Sequence, residues 1–86
     1  MQSPEVTRLI RWFENDGSDT LVGEAPLSGP TLSELQELFE VPTDDPMYDC
    51  FPVAEKHRVF IESHASLSLD FDRFDYFLEA DAEPQT

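Results

Sequence analysis

The sequence predicts an α+β domain with a mainly antiparallel sheet and one or two short helices packed on one face. Three observations support this prediction. The turn signal "ENDGSD" separates two runs that favour strands, which predicts a hairpin. A capped amphipathic helix follows, and the chain closes with a run of alternating apolar residues. Its 86 residues are the length of one domain, and we expect residues 1–86 to form it.

The first segment, "SPEVTRLIRWFEND", fits either a helix or a strand. Its apolar residues have helical spacing, at Val6, Leu9, Ile10 and Phe13. Ser3 and Pro4 suit the N-cap and the first position of such a helix. The β-branched and aromatic residues of the segment favour a strand just as well. The hairpin signal that follows also favours the strand.

A turn and a second strand come next. Asn15, Asp16 and Gly17 tolerate positive φ and often reverse a chain. The run "TLVGEAPL" then predicts a short strand, and Pro26 near its end indicates the edge of a sheet.

The segment "SGPTLSELQELFEVP" is the clearest helix in the chain. Thr31 suits the N-cap, and Glu34 completes a capping box. One apolar stripe is predicted to face the core, formed by Leu32, Leu35, Leu38 and Phe39. The polar side chains are predicted to face water, namely Glu34, Gln36, Glu37 and Glu40. We expect Pro42 to end the helix.

The second half is less regular. "TDDPMYDCFPV" predicts an exposed loop that leads into an extended piece around Cys50 and Phe51. Residues 53–64 fit a helix or an extended segment. Residues 67–78 predict a closing strand, with a bulge or turn near Asp72 and Arg73 where the alternation changes phase. Residues 80–86 are expected to form a frayed tail.

Charge limits the possible partners. The chain has 19 Asp and Glu against 5 Lys and Arg, a formal net charge of −14. Such a chain repels nucleic acid, because no basic patch is available to neutralise phosphates. A basic protein is the natural partner, and acidity that serves only solubility or a salty host is the alternative.

Cysteine usage and hydropathy point to the cytoplasm. A lone cysteine, Cys50, allows no intrachain disulfide. The sequence has neither a signal-peptide pattern nor a stretch of about 18 apolar residues, so we expect no membrane association.

The motifs do not predict an enzyme. Asp70, Asp72 and Asp75 resemble a calcium loop, but Asp75 stands where that loop requires glycine, so no metal is expected. A Cys50 and His57 or His64 pair has nothing to position it, and nearby acids are expected to raise the pKa of the thiol. Three glycines form no phosphate-binding loop, and no cofactor is predicted.

Aromatic residues beside carboxylates are the remaining candidates for function. Rings supply contact area and carboxylates pair with Lys or Arg, so together they suit a protein-binding surface. The rings beyond those that one small core needs are Trp12, Tyr48, Phe51, Phe74 and Tyr76. Four other rings are predicted to be core, namely Phe13, Phe39, Phe60 and Phe71.

A series of short motifs resembles the immunity proteins of cloacin and of the ribosome-cleaving colicins. The motifs extend from Leu9 to Asp81. They are Trp12-Phe13, Gly23-Glu24, Val41-Pro42, the acidic pair Asp44-Asp45, Cys50-Phe51 with Val53, and Tyr76-Phe77. The chain departs from that family in its longer helix, in "DDPMYD" in place of an Asn-rich loop, and in its "AEPQT" ending.

The resemblance implies a four-stranded antiparallel sheet with a short helix on one face. It further implies a cytoplasmic bacterial protein that binds and neutralises a basic toxin domain, most simply a ribonuclease, beside its active site. The free protein is expected to be a monomer or a weak homodimer. The alternatives are a nucleic-acid mimic that inhibits a DNA- or RNA-binding protein other than a toxin, and an acidic adaptor or subunit of a housekeeping complex.

The predicted partner-binding residues combine acids with rings. The acids are expected to pair with Lys and Arg, and they are Glu14, Asp16, Glu24, Asp44, Asp45, Asp49, Asp72 and Asp75. Trp12, Phe74 and Tyr76 are expected to act as aromatic anchors. Cys50 is placed where a small side chain tunes the choice of partner.

Overall fold

The computed structural model describes residues 6–18 and 20–82, and it has a four-stranded antiparallel sheet. The strands are β1 (Val6–Glu14), β2 (Leu21–Pro26), β3 (Phe51–Pro52) and β4 (Phe74–Ala82), in the spatial order β2-β1-β4-β3. Helix α1 (Leu32–Leu38) follows β2, and a 3₁₀ turn (Glu55–His57) leads into helix α2 (Arg58–His64). The predicted α+β class with a mainly antiparallel sheet is confirmed.

The first segment is a strand, so its helical spacing was misleading. β1 pairs with β2 on one side and along its whole length with β4 on the other. A helix of this length is marginal in isolation, whereas both edges of β1 find hydrogen-bonding partners. Leu9 and Ile10 are both buried, although neighbouring side chains of a strand point to opposite faces. Ser3 and Pro4, proposed as helix cap and first position, lie outside the described residues.

The predicted hairpin joins β1 to β2, and β2 is an edge strand as Pro26 indicated. The Glu14 N–H donates to the Thr20 carbonyl at 2.9 Å, and the register shifts between Trp12 and Phe13. Gly23 lies directly under the indole ring of Trp12. A Cβ at this position would lie 2.6 Å from Trp12 Cζ2, so the ring requires glycine here.

The core lies between one face of the sheet and the two helices. Ile10, Tyr76 and Leu78 point from β1 and β4 toward Leu35 of α1 and Ile61 of α2. The core is completed by Leu27, Met47, Val53, Ala65 and Leu69. Three of the predicted core rings pack against this cluster, namely Phe39, Phe60 and Phe71.

Helix α1 begins as predicted. The Thr31 hydroxyl accepts from the Glu34 N–H, and the Glu34 carboxylate accepts from the Thr31 N–H at 2.8 Å. Gln36 was expected to face water but is buried, because its amide binds the loop that follows. The helix ends at Leu38 and not at Pro42, since Glu40 has a positive φ of 58° that a helix does not accommodate.

The second half resolves the remaining alternatives. Residues 53–64 contain the 3₁₀ turn and α2, so the helical alternative is correct for most of them. The closing strand begins at Phe74, later than predicted, because residues 71–73 form the expected turn. β4 continues to Ala82, so residues 80–82 are not frayed, and residues 83–86 lie outside the described range.

Candidate functional site

The face of the sheet opposite the helices is the candidate site, and we call it the open face. Strand alternation places Leu9, Arg11 and Phe13 of β1 on it. β4 contributes the side chains opposite the core residues, namely Asp75, Phe77, Glu79 and Asp81. Glu24 of β2 lies beside Arg11. The core cluster contains none of these residues.

Arg11 organises the acids of the open face. Its guanidinium pairs with Glu24 at 2.9 Å, with Glu79 at 2.5 Å and with Asp81 at 2.6 Å. These three hydrogen-bonded carboxylates, led by Glu24, raise the pKa of Arg11 above its ordinary value. One cation therefore fixes three anions in a row across β2, β1 and β4.

A groove of about 290 Å³ lies beside this network on the open face. It is lined by Phe13, Cys50, Asp75, Phe77 and Glu79. The two phenyl rings meet edge to face, with centroids 5.8 Å apart and planes inclined by 73°. We call it the phenylalanine groove.

Cys50 lies at the rim of the groove, one residue before β3. Its thiol donates to Glu79 Oε2 at 3.6 Å. Partial burial of the thiol, followed by the nearby charge of Glu79, raises the pKa of Cys50. The sequence predicted this direction from acids near Cys50 in the chain, whereas the acid that acts on it lies on β4.

Three of the predicted site residues lie on the open face, namely Glu24, Cys50 and Asp75. Glu14, Asp16 and Asp72 lie together at one end of the sheet. There the Asn15 side-chain amide donates to the carbonyls of Phe71 and Asp72 at 3.3 Å, which ties the hairpin turn to the 71–73 turn. Asp16 and Asp72 are exposed, and hydrogen bonds from Ser18 lower the pKa of Asp16.

The predicted acids of the loop 43–50 form a separate group. Asp44 and Asp49 are exposed, while Asp45 accepts a hydrogen bond from the Met47 N–H at 2.8 Å. Tyr48 is half exposed, at 54%. Because Met47 is fully buried, the loop is anchored to the core and displays its acids outward.

The three rings predicted as anchors all point to the core face. Tyr76 is only 4% exposed, and its hydroxyl accepts from the Asp70 N–H at 2.9 Å. Trp12 and Phe74 pack around it, with ring centroids 5.8 and 6.2 Å from the Tyr76 ring. The expectation that Tyr76 is exposed was therefore wrong.

The rings that the sheet does offer at its open face are Phe13 and Phe77, both partly exposed. Phe13 was predicted as core, and Phe77, Arg11, Glu79 and Asp81 were not predicted as site residues. The two-residue alternation in β1 and β4 contained the signal, since all of them share one face of the sheet, opposite to the core residues Ile10, Tyr76 and Leu78.

All five basic side chains lie in the described part of the chain, and each is engaged within it. Arg8 donates to the carbonyls of Pro46 and Met47, and Arg11 binds its three carboxylates. Lys56 pairs with Glu40, and Arg58 pairs with Glu55 and Glu62. Arg73 lies 5.0 Å from the ring centre of Phe74.

Many carboxylates of the described part have no ion pair as a result. They are Glu14, Asp16, Glu34, Glu37, Asp44, Asp45, Asp49, Asp70, Asp72 and Asp75. The exposed charge available to another molecule is therefore almost entirely negative.

Neither a candidate metal site nor a membrane-spanning helix is found in the described part of the chain. Among residues 6–18 and 20–82, no three His, Cys, Asp or Glu side chains are grouped in a way that would hold a metal ion. The helices in this part of the chain are too short and too polar to cross a membrane.

Comparison with known families assigns this small acidic α+β domain to one family. The chain belongs to the family described as a domain of unknown function, DUF7683, whose model matches residues 7–79. The matched range contains almost all of the four strands, both helices and the phenylalanine groove. No curated protein matches the chain.

Proposed function

We propose that this protein is an immunity protein, which binds and neutralises a basic cytotoxic nuclease domain, most simply a ribonuclease, in the cytoplasm of the producing bacterium. It acts by stoichiometric binding and not by catalysis. Its motifs resemble those of the cloacin and colicin immunity proteins, and the resemblance supplies the identity of the partner class.

The observation that carries the proposal is the internal use of every basic side chain. Because Arg8, Arg11, Lys56 and Arg58 are bound within the protein and Arg73 lies over a ring, little positive charge at the surface offsets the free carboxylates. A nuclease that grips phosphates is basic, and such a surface attracts it strongly at low salt. Association rates can then reach about 10⁸–10⁹ M⁻¹s⁻¹.

The open face supplies the second requirement, which is contact area. Charge alone steers an encounter, whereas aromatic residues at the centre of an interface hold the complex together. Phe13 and Phe77 lie beside Asp75 and Glu79, so apolar and charged contacts are available at one place. The exposed acids Asp16 and Asp72 lie at the adjoining end of the sheet and extend the negative surface.

The proposal is tested with a basic nuclease domain encoded beside this gene. The nuclease is expressed in a bacterial host with and without this protein, and purified nuclease is assayed on RNA at rising molar ratios. We expect growth to be rescued and RNA cleavage to stop at a one-to-one ratio. Full nuclease activity at excess protein would overturn the proposal and leave the mimic and adaptor alternatives.

Charge reversal tests which surface is used. Asp75→Lys on the open face is expected to slow association about tenfold at low salt, since it reverses a charge where the partner approaches. Glu37→Lys changes the net charge equally but lies on exposed α1, so it serves as the matched control. Stopped-flow kinetics give both rates, and equal slowing by the two variants would remove the open face from the interface.

A further inference from the structure

The phenylalanine groove combines the features that bind a guanidinium group. It has an aromatic wall of Phe13 and Phe77, a free carboxylate at Asp75, and a second carboxylate at Glu79. Its volume of about 290 Å³ is at the lower end of the range for pockets that bind small molecules. The groove therefore suits one long side chain better than a whole ligand.

The two carboxylates of the groove differ in their availability. Glu79 already accepts from Arg11 through Oε1 and from the Cys50 thiol through Oε2. Asp75 is exposed and has no ion pair within the described residues. An incoming cation would thus find Asp75 free and Glu79 held rigidly in place, which reduces the entropy lost on binding.

Two arginine side chains of this protein already lie over aromatic rings. Arg58 lies over the Phe71 ring at 5.2 Å from its centre, and Arg73 lies over the Phe74 ring at 5.0 Å. Arginine stacks on rings and is more weakly hydrated than lysine, so an aromatic wall next to a carboxylate favours arginine.

We infer that the phenylalanine groove is a receptor for a single arginine side chain of the basic partner, with the guanidinium paired with Asp75 and stacked against the Phe13 and Phe77 wall. The inference rests on the proposed function for the partner, whereas the recognition of arginine is testable without it. Charge complementarity selects this occupant, because a second copy of this chain would bring a net charge of −14 to an acidic face.

The probe is N-acetyl-arginine amide, titrated into the folded protein and followed by NMR. We expect saturable shifts of the Phe13 and Phe77 ring signals and of the Cys50 and Asp75 amides. N-acetyl-citrulline amide has the same shape without the charge and is expected to bind at least about fivefold more weakly. The lysine derivative is expected to bind more weakly than arginine, because it lacks the planar stacking group.

Two variants of equal net charge distinguish binding in the groove from binding to the acidic surface in general. Asp75→Asn is expected to weaken probe binding about fivefold, while Glu37→Gln, at an exposed acid outside the groove, leaves it unchanged. Phe77→Leu keeps an apolar wall and removes the ring, so it is expected to reduce the preference for arginine over lysine. Dispersed amide signals confirm that each variant is folded.

A second readout uses the cysteine at the rim. Saturating N-acetyl-arginine amide is expected to slow alkylation of Cys50 by iodoacetamide, because the occupied groove covers the thiol. Citrulline amide at the same concentration is the control and is expected to protect less.

Three results would overturn the inference. Signal shifts that are spread over all the acids, and that Asp75→Asn and Glu37→Gln reduce equally, would show only a diffuse ion atmosphere. Equal binding of citrulline would show an apolar groove without selection for charge. Concentration-dependent shifts of the same signals without any probe would show that a second copy covers the face. None of these results bears on nuclease inhibition, so failure of the groove and failure of the proposed function are distinguishable.

Discussion

At the scale of single residues, Arg11 is the most connected side chain of the open face. It is about one-fifth exposed, as is Glu79, whereas Glu24 and Asp81 are about half exposed. Solvent screens the pairs with Glu24 and Asp81 more than the pair with Glu79, which is the least exposed of the three. Without the guanidinium, three carboxylates would face one another across the strands.

Replacing this residue tests that arrangement. Arg11→Met is expected to lower the free energy of unfolding by about 1–3 kcal/mol, between the values for exposed and buried pairs. Arg73→Met makes the same change in net charge, from −14 to −15, but removes no carboxylate partner. It should cost less than about 1 kcal/mol. Urea unfolding measures both, and equal losses would assign the effect to net charge alone.

His57 is the other residue whose environment has a measurable consequence. It is buried, its Nδ1 accepts from the Ala54 N–H at 2.9 Å, and its ring stacks on Phe39 with centroids 4.3 Å apart. Nε2 is buried without a hydrogen-bond partner among the described residues. Burial, and then the charge of Lys56, lower the pKa of His57 below its ordinary 6.5.

Because the pKa of His57 is lowered in the folded state, the free energy of unfolding decreases as pH falls. Above about pH 6.5 both states hold neutral His57, and the native state keeps its full advantage. Below that, the unfolded chain gains a proton that the folded one resists. The contribution of His57 to the free energy of unfolding then decreases by no more than about 1.4 kcal/mol per pH unit, until pH reaches the pKa of the folded state. NMR titration of the ring in folded and urea-unfolded protein checks this, and equal midpoints would contradict it.

At the scale of elements, the loop 43–50 is irregular in conformation but fixed in position. Gln36 Nε2 donates to the carbonyls of Thr43 and Asp45 at 3.0 and 2.7 Å. The Arg8 guanidinium donates to the carbonyls of Pro46 and Met47. Met47 has a positive φ of 56°, unusual for a residue with a side chain, and these bonds hold it there. The loop can therefore present Asp44, Tyr48 and Asp49 without first becoming ordered.

The glutamine is the side chain whose loss should free the loop. Gln36→Leu keeps the apolar packing but leaves two carbonyls without their donor, at an expected cost of about 1–3 kcal/mol. Glu37→Leu places the same residue at the exposed neighbouring position and should be nearly neutral. Amide hydrogen exchange is expected to accelerate in residues 43–49 of the first variant only. Unchanged exchange there would show that Arg8 alone fixes the loop.

At the scale of the whole molecule, repulsion among carboxylates opposes the fold. A formal net charge of −14 on one small domain destabilises the compact state, and the internal ion pairs offset only part of it. Pairing with a basic partner would remove this repulsion, so binding and stability are linked.

Salt should therefore stabilise the free protein. Raising NaCl toward about 1 M shortens the screening length to about 3 Å and is expected to raise the melting temperature at pH 7. The same salt series near about pH 4, where many carboxylates are protonated, is the control and should show a smaller rise. A fall in melting temperature with salt at pH 7 would mean that ion pairs such as those of Arg11 outweigh the repulsion.

The sequence by itself determined the fold class, the hairpin, the capping box at Thr31 and Glu34, and the excess of acid. These are local properties, because turns, caps and charge depend on residues close together in the chain. The sequence could not show that the helical spacing of β1 was a coincidence. The strand forms because β2 and β4 provide its hydrogen-bonding partners. Nor did the sequence reveal that Gln36 is buried by the loop it binds.

The tertiary structure alone decided which rings and acids come together. Trp12 and Phe13 are neighbours in the chain, yet one packs on the core and the other faces outward, because a strand sends successive side chains to opposite faces. Which face is covered depends on where α1 and α2 pack. The packing of the helices on one face also places Tyr76 in the core and leaves Phe77 in the groove on the other face. Composition shows the large excess of acid, but only the packing of helices on one side of the sheet defines which surface is left open.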